Sequence, residues 1–211
     1  MVPELVGVWA SGWAVSRRTP APVERPWGVY LEVDQPGQVG RHVLPHGTES
    51  AVRQAAASVA LAHTWLKVPV TPEEVERWLP PGWVADRDET GHLMATELRT
   101  TDPVAPEGYT ASAETIEGVT YLLVRHTTGE LAAKGQMAVL GHAAVVDRVV
   151  TEPAHRRRGL GGFVMRSLAD HAAAKGATLG ILGATDEGRA LYETLGWKAH
   201  APLAACVYRP Q

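Results

Sequence analysis

Three arginines and three glycines crowd into one short stretch, Arg156-Arg157-Arg158-Gly159-Leu160-Gly161-Gly162. The residues before it, Ala143 to Val150, are apolar and rich in valine, which favours a strand, and Thr151-Glu152-Pro153 forms a polar turn. After it, Leu160, Phe163, Val164 and Leu168 recur at helical spacing until Lys175-Gly176 supplies a basic last turn and a stop. Strand, basic glycine loop, helix is an order that can hold a pyrophosphate. The first N–H groups of a helix lack internal acceptors and lie at the positive end of its dipole. Glycines let a phosphate approach the backbone without a Cβ in the way, and arginines add charge and directed donors. The order therefore predicts an anion cradle at the helix N-terminus. Neither G-x-x-x-x-G-K-[ST] nor G-x-G-x-x-G precedes the helix. What remains is R-x-x-G-x-G, from Arg156 through Gly159 to Gly161, which alone fits any basic loop with two glycines.

A second block lies downstream. Leu191-Tyr192-Glu193-Thr194-Leu195-Gly196-Trp197 closes a helix that begins near Asp186. Together the two blocks resemble the GCN5-related N-acetyltransferase (GNAT) family, the first its acetyl-CoA motif (Q/R-x-x-G-x-G/A), the second its L-Y-x-x-L-G-F/W motif, at the expected separation. The resemblance covers Tyr109 to Arg209. It implies an α+β fold with a mixed central sheet flanked by helices, either as one acyl-CoA N-acyltransferase unit or as a tandem of a degenerate and an intact unit. It implies acetyl-CoA as co-substrate and direct attack by a primary amine, with no covalent enzyme intermediate.

The resemblance also assigns roles. The pantetheine arm would pair with a splayed strand edge at Val149, Val150 and Thr151, where a backbone N–H meets the thioester carbonyl. The pyrophosphate would rest on Arg156, Arg157, Arg158, Gly159, Leu160 and Gly161, with the N–H of Gly162 in reach. Tyr192 aligns with the tyrosine placed near the sulfur, whose phenol can protonate the departing thiolate. The general base is open. A glutamate used by some members falls at Val145; Asp147, two residues on, shares that strand face and is the first candidate. Asp147 paired with Arg148 or another basic residue, a water relay, and His63, His92 or Glu97 are the alternatives. One departure matters: the family's two short helices have no room between Tyr109 and Val119, so the acceptor pocket must draw on residues 1–100 or on a partner chain.

The elements around these blocks follow from local signals. Residues 1–47 read as short strands, Trp9–Val15, Gly28–Val33 and Val39–Leu44. A helix capped by Thr48 or Ser50 runs to about Ala62, and Trp65–Val70 reads as a strand. Thr71-Pro72-Glu73-Glu74 is a helix start with a capping-box glutamate. Asp102 to Gly108 is the best linker, followed by four strand-like runs to Val150. The interval Thr64–Trp83 repeats the order of Thr178–Trp197: strand, threonine cap, acidic first turn, helix, Gly-Trp. An internal duplication would account for this, as would chance likeness of two αβ units. The first copy would be degenerate, with Leu44-Pro45-His46-Gly47-Thr48 at the loop and Trp78 at the tyrosine position, and would not bind acetyl-CoA. The expected division is 1–100, an αβ region helping to form the acceptor site, and 101–211, the acetyl-CoA-binding catalytic domain.

The whole chain narrows the function further. Its 211 residues, 45% hydrophobic and 20% charged, suit a globular protein of one large or two small domains. A net charge of −3 gives no pull toward nucleic acid or acidic membranes. The single cysteine, Cys206, permits no intramolecular disulfide and reads as a packed residue. No leader or membrane span is evident, so the cytoplasm is expected. The nine histidines show no metal spacing. Richness in Ala, Arg, Gly and Pro matches a high-GC bacterial genome. Six of the seven tryptophans lie in the first half and hint at a small-molecule acceptor. The expectation is an acetyl-CoA-dependent N-acetyltransferase, monomer or homodimer. The alternatives are a non-catalytic acyl-CoA-binding regulatory module and a protein N-acetyltransferase.

Overall fold

A computed structural model describes residues 1–210. The elements run α1 (Val2–Arg17), β1 (Val23–Arg25), β2 (Gly28–Gln35), β3 (Gln38–Val43), α2 (Glu49–Ala57), β4 (Thr64–Val68), α3 (Pro72–Glu76) and β5 (Trp83–Glu97). They continue with β6 (Tyr109–Ile116), β7 (Val119–His126), β8 (Leu131–Leu140), β9 (Ala143–Thr151), a 3-10 turn (Pro153–His155), α4 (Leu160–Ala174), β10 (Leu179–Ala184), α5 (Asp186–Thr194) and β11 (Lys198–Tyr208). The strands form one sheet in the order β1-β2-β3-β4-β11-β5-β10-β9-β8-β7-β6. The fold is α+β, and the sheet is mixed: β3–β4 and β9–β10 are parallel, the other pairs antiparallel.

This order reads alike from both sides of its centre, the antiparallel pair β5–β11. On one side lie β3 parallel to β4, with α2 between them in sequence; on the other lie β9 parallel to β10, with α4 between them. Then α3 leads from β4 into β5, as α5 leads from β10 into β11. Each of these last strands crosses to the far side: β5 is inserted beside β10, and β11 beside β4. Local chemistry sets the helix starts. Thr71 and Glu74 form a reciprocal capping box on α3, and Thr185 caps α5 by accepting from the N–H of Gly188.

The first helix corrects the sequence reading. Trp9–Val15 is not a strand but the second half of α1. Aromatic and β-branched content favours a strand locally, but Leu5, Val6, Trp9, Ala10, Trp13 and Ala14 are buried at helical spacing. They pack with Leu31, Val43, Leu93, Ala143, Val145, Ile181 and Leu203, drawn from six strands. The sheet must curl to allow this. Four strands separate β3 from β9, about 24 Å at ordinary strand spacing. Yet the guanidiniums of Arg41 on β3 and of Arg17, the partner of Asp147 on β9, approach the same Trp13 ring at 4.5 and 5.2 Å. Gly12 permits the closest contact, since a Cβ there would collide with Val145.

The other face of β7–β10 carries α4 and α5, through Leu160, Phe163, Val164, Met165 and Leu168 against Leu122, Met137, Ala144, Val146 and Leu182. One more boundary differs from the sequence reading: α2 ends at Ala57, short of Ala62. The long strand β5 went unread because its middle is charged; it bulges out of register with β11 between Asp86 and Gly91.

The crossed strands generate a prediction. A fragment of residues 101–211 lacks both α1 and β5, so β10 and β11 lose the strand that joins them and Val145 loses its cover. It should show no cooperative thermal transition by calorimetry. A sharp transition like that of the full chain would show that the crossing is dispensable.

Candidate active site

β9 and β10 pair over only three residues, Ala143–Val145 against Leu179–Ile181. Beyond them β9 follows β8 as far as Thr151, while β10 follows β5 as far as Ala184. A bulge in β9 between Asp147 and Val150, with Arg148 at φ 51°, bends the strand where the two part. Val149, Val150 and Thr151 therefore present an edge with no strand partner on the β10 side. An extended, amide-bearing ligand can supply the missing hydrogen bonds there.

The basic loop stands at the mouth of this gap. Arg156 reaches back to the carbonyl of Thr151 at 3.4 Å, and Arg157 takes a left-handed conformation at φ 62°. Both are exposed. Arg158 is braced: its Nη1 donates to the Tyr109 hydroxyl at 2.9 Å, and that hydroxyl meets Nδ1 of the buried His155 at 3.0 Å. Gly159 caps α4 at φ 77° with no side chain to fill the helix end. Among the described residues, the N–H groups of Leu160, Gly161 and Gly162 have no acceptor. Three free donors and two exposed arginines form an arrangement that can hold an anion. Leu160 is buried and anchors the turn, and a Cβ at Gly161 would stand 2.9 Å from Leu191 Cδ2 on α5. α2 differs: Thr48 accepts from the N–H of Ala51 and closes that helix end.

Tyr192 is buried, 6.3 Å from the Trp197 ring, and its hydroxyl has no hydrogen-bond partner among the described residues. Burial, and to a smaller degree the charge of Asp147, push the phenol up to about 12. Asp147 packs on the α1 side of the sheet and Tyr192 on the α5 side. Asp147 is not paired with Arg148. Arg17 holds both its oxygens, Nη2 at 2.9 Å from Oδ1 and Nε on Oδ2, and Ser16 lies 3.4 Å from Oδ2. The amide of Gln136 ties the same corner together, donating to the carbonyl of Ser16 at 2.6 Å and to its hydroxyl at 2.8 Å.

The remaining base candidates separate by position. Glu97 lies opposite Leu179, at the far end of β10 from the loop, whereas His92 lies opposite Ala184, at the near end. His92 Nε2 is 2.6 Å from Asp186 Oδ1; a carboxylate can only accept, so Nε2 carries the proton and Nδ1 is left to accept one. This pair lines a cleft of about 520 Å³ between α3 and α5. His63 sits in the turn before β4, at φ 61°.

The model of the acetyltransferase (GNAT) family matches residues 73–197. The chain belongs to that family. It is an acetyltransferase, and the family match begins in α3, well before Tyr109. A GCN5-related N-acetyltransferase from Kribbella flavida is similar in fold at TM-score 0.65 and 20% identity, covering 98% of this chain and 96% of that one. A GNAT-family protein from Novosphingobium aromaticivorans gives TM-score 0.60 and 21% identity over 99% of both chains. A tandem GNAT protein from the clavulanic acid biosynthesis pathway gives 0.53 and 15%, over 77% of this chain and 69% of that one. A search of curated proteins finds no match.

For a GNAT protein the sequence left one side of the site blank. Arg17 and Ser16, which contact Asp147, and Trp13 and Arg41 next to them carry no motif, and a strand over Trp9–Val15 would not bring them together. The loop can be tested directly. Gly161→Val should lower acetyl-CoA affinity at least tenfold, because its side chain meets Leu191 and covers the free donors. Arg156→Ala should weaken it by about 1–2 kcal/mol, the scale of a charge-assisted hydrogen bond. Titration calorimetry measures both, and an unchanged affinity in the Gly161 variant removes the cradle.

Proposed function

We propose that this chain transfers an acetyl group from acetyl-CoA to the primary amine of a small molecule, directly and without an acyl-enzyme. One observation carries the reading: a parted strand edge leads into an uncapped helix N-terminus, and that terminus packs against Leu191 on the helix that buries Tyr192. The pyrophosphate binds Arg156 to Gly162, and the pantetheine arm lies along Val149–Thr151, where a backbone N–H polarises the thioester carbonyl. The amine enters from the α1 side and attacks the carbonyl carbon. The tetrahedral intermediate then collapses, the C–S bond breaks, and sulfur leaves with the proton of the Tyr192 hydroxyl. The phenol is a weaker acid than a thiol, which ordinarily titrates at about 8.5. Transfer is therefore coupled to return of a proton from the nitrogen that attacked, leaving a neutral amide, a thiol and an unchanged tyrosine.

Deprotonation of the incoming ammonium needs a base. Asp147 lies on β9 where the strands part, but both its oxygens are already engaged by Arg17, which leaves it poorly placed to take a proton from an incoming ammonium. The His92–Asp186 pair is the second candidate, and the stronger on chemistry, since one imidazole nitrogen is free to accept. Asp147→Asn and His92→Gln distinguish them: the true base loses the acidic limb of the kcat/KM profile, the other retains it.

The mirrored connectivity supports two related units that exchanged their last strands, with the first no longer able to bind acetyl-CoA. In this reading residues 1–100 supply acceptor contacts, and residues 101–211 hold the co-substrate.

Tyr192→Phe tests the chemistry. It removes one oxygen and keeps the ring, so kcat should fall by about a hundredfold to ten-thousandfold with little change in acetyl-CoA affinity. Because the phenol is pushed up to about 12, it stays protonated in the fold, and kcat should show no loss from it below about pH 10. Turnover within about threefold of wild type would show that Tyr192 is a packing residue.

A further inference from the structure

We propose that the amine acceptor carries an anionic group, a carboxylate or a phosphate, and that Arg41 receives it on the α1 side of the parted strands. This rests on the acetyltransferase reading and names its substrate class.

Arg41 projects from β3 beneath α1 and is only 7% exposed. A guanidinium has five N–H donors and no means of losing its charge near neutral pH. Here Nη2 donates to Gln38 Oε1 at 3.1 Å, a neutral partner, and Nε is fully buried with no acceptor among the described residues. Its plane lies 4.5 Å from the centroid of Trp13, and Arg17 lies 5.2 Å from the same ring while holding Asp147. Arg41 is thus joined to the gap through one indole and one ion pair.

Among the described residues no carboxylate pairs directly with Arg41. Lys67, 6% exposed on β4, donates its ammonium to a backbone carbonyl, that of Glu89, and not to a carboxylate. The Glu89 side chain is exposed and acts only at longer range. The two sheltered carboxylates nearby are already engaged, Asp147 by Arg17 and Asp86 by Arg209, so neither forms an ion pair with Arg41 or Lys67. Burial lowers Arg41 to about 10, so it keeps its charge near neutral pH, whereas burial brings Lys67 down to about 7. A buried cation without an anion is costly, and a planar anion fits the guanidinium fork. Exposure rises from Arg41 through the Asp147 side chain at 13% to Arg17 at 28%, so the cluster opens to solvent at the end of α1. An acceptor entering there would bring its anion inward to Arg41 and leave its amine at the gap.

The test uses the full chain with acetyl-CoA and reads release of the coenzyme A thiol. The probes are free amino acids and aminoalkyl phosphates, each set against the matching neutral amide or alcohol. The anionic amines should be preferred by at least about tenfold in kcat/KM, the scale of one charge-assisted hydrogen bond. Which arm responds separates carboxylate from phosphate. Arg41→Met should erase the preference, and Arg41→Lys, which keeps the charge but loses the fork, should restore part of it. Melting temperatures and calorimetric acetyl-CoA affinities of both variants are measured alongside, and the wild-type preference stands as a test even where a variant folds poorly. Neutral amines acetylated as fast as their acids, or a preference retained in Arg41→Met, would overturn the proposal. So would acetyl-CoA binding with no anionic amine acetylated, which leaves the acetyltransferase reading intact. Failure to bind acetyl-CoA overturns both.

Discussion

The site depends on two parallel strands being unable to stay together. β9 and β10 share three residue pairs, and then each is held by a different neighbour, β8 on one side and β5 on the other. Closing the gap would break one of those antiparallel ladders. A parallel pair gains less per residue than an antiparallel one, so the ladders win and the strands part. The bulge at Arg148 works in the same direction, since an extra residue in β9 turns its end away from β10. The unpaired backbone that results is the polar lining of the site. It is tolerable because it faces a cleft and not the core.

The second constraint is α1. An eleven-stranded sheet is long enough to curl, and its hollow has to be filled. α1 fills it with two tryptophans and small residues such as Gly12 and Ala10, which let the helix sit close to Val145 and Ile181. Its last turn brings Ser16 and Arg17 to Asp147, so the packing that completes the core also sets the charge on one side of the gap. The other side is set by α5, which buries Tyr192 against Trp197. Core packing and site electrostatics are here one structural event seen from two faces of the sheet.

These relations explain what the sequence could and could not disclose. The loop Arg156–Gly162, its strand and its helix are contiguous, so their order was readable, as were the threonine caps of α3 and α5. α1 was misread because its composition satisfies strand propensity, and only contact with six strands decides for the helix. β5 escaped because a charged bulge interrupts its alternation. Asp147 was found from its place on the strand face, but its partner is 130 residues away. Arg41 sits in a strand whose alternation alone cannot tell a solvent face from a curled, covered one.

The two sides of the sheet show how little separates a binding site from a scaffold. They share connectivity from β3 to β5 and from β9 to β11, yet β3 and β4 stay zipped from Gly40–Val43 to Thr64–Lys67, and Leu44 extends the pairing with a further bond to the Lys67 carbonyl. No edge is left open there. At the helix that follows, Thr48 spends its hydroxyl on the N–H of Ala51, whereas Gly159 leaves three donors free. Trp78 stands five residues before Trp83, as Tyr192 stands five before Trp197, but it falls beyond the end of α3, and an indole N–H is too weak an acid to protonate a thiolate. The two sides therefore differ in one strand pairing and one helix cap. The topology fixes where a cleft can form, and a few local hydrogen bonds decide which of the two places has one.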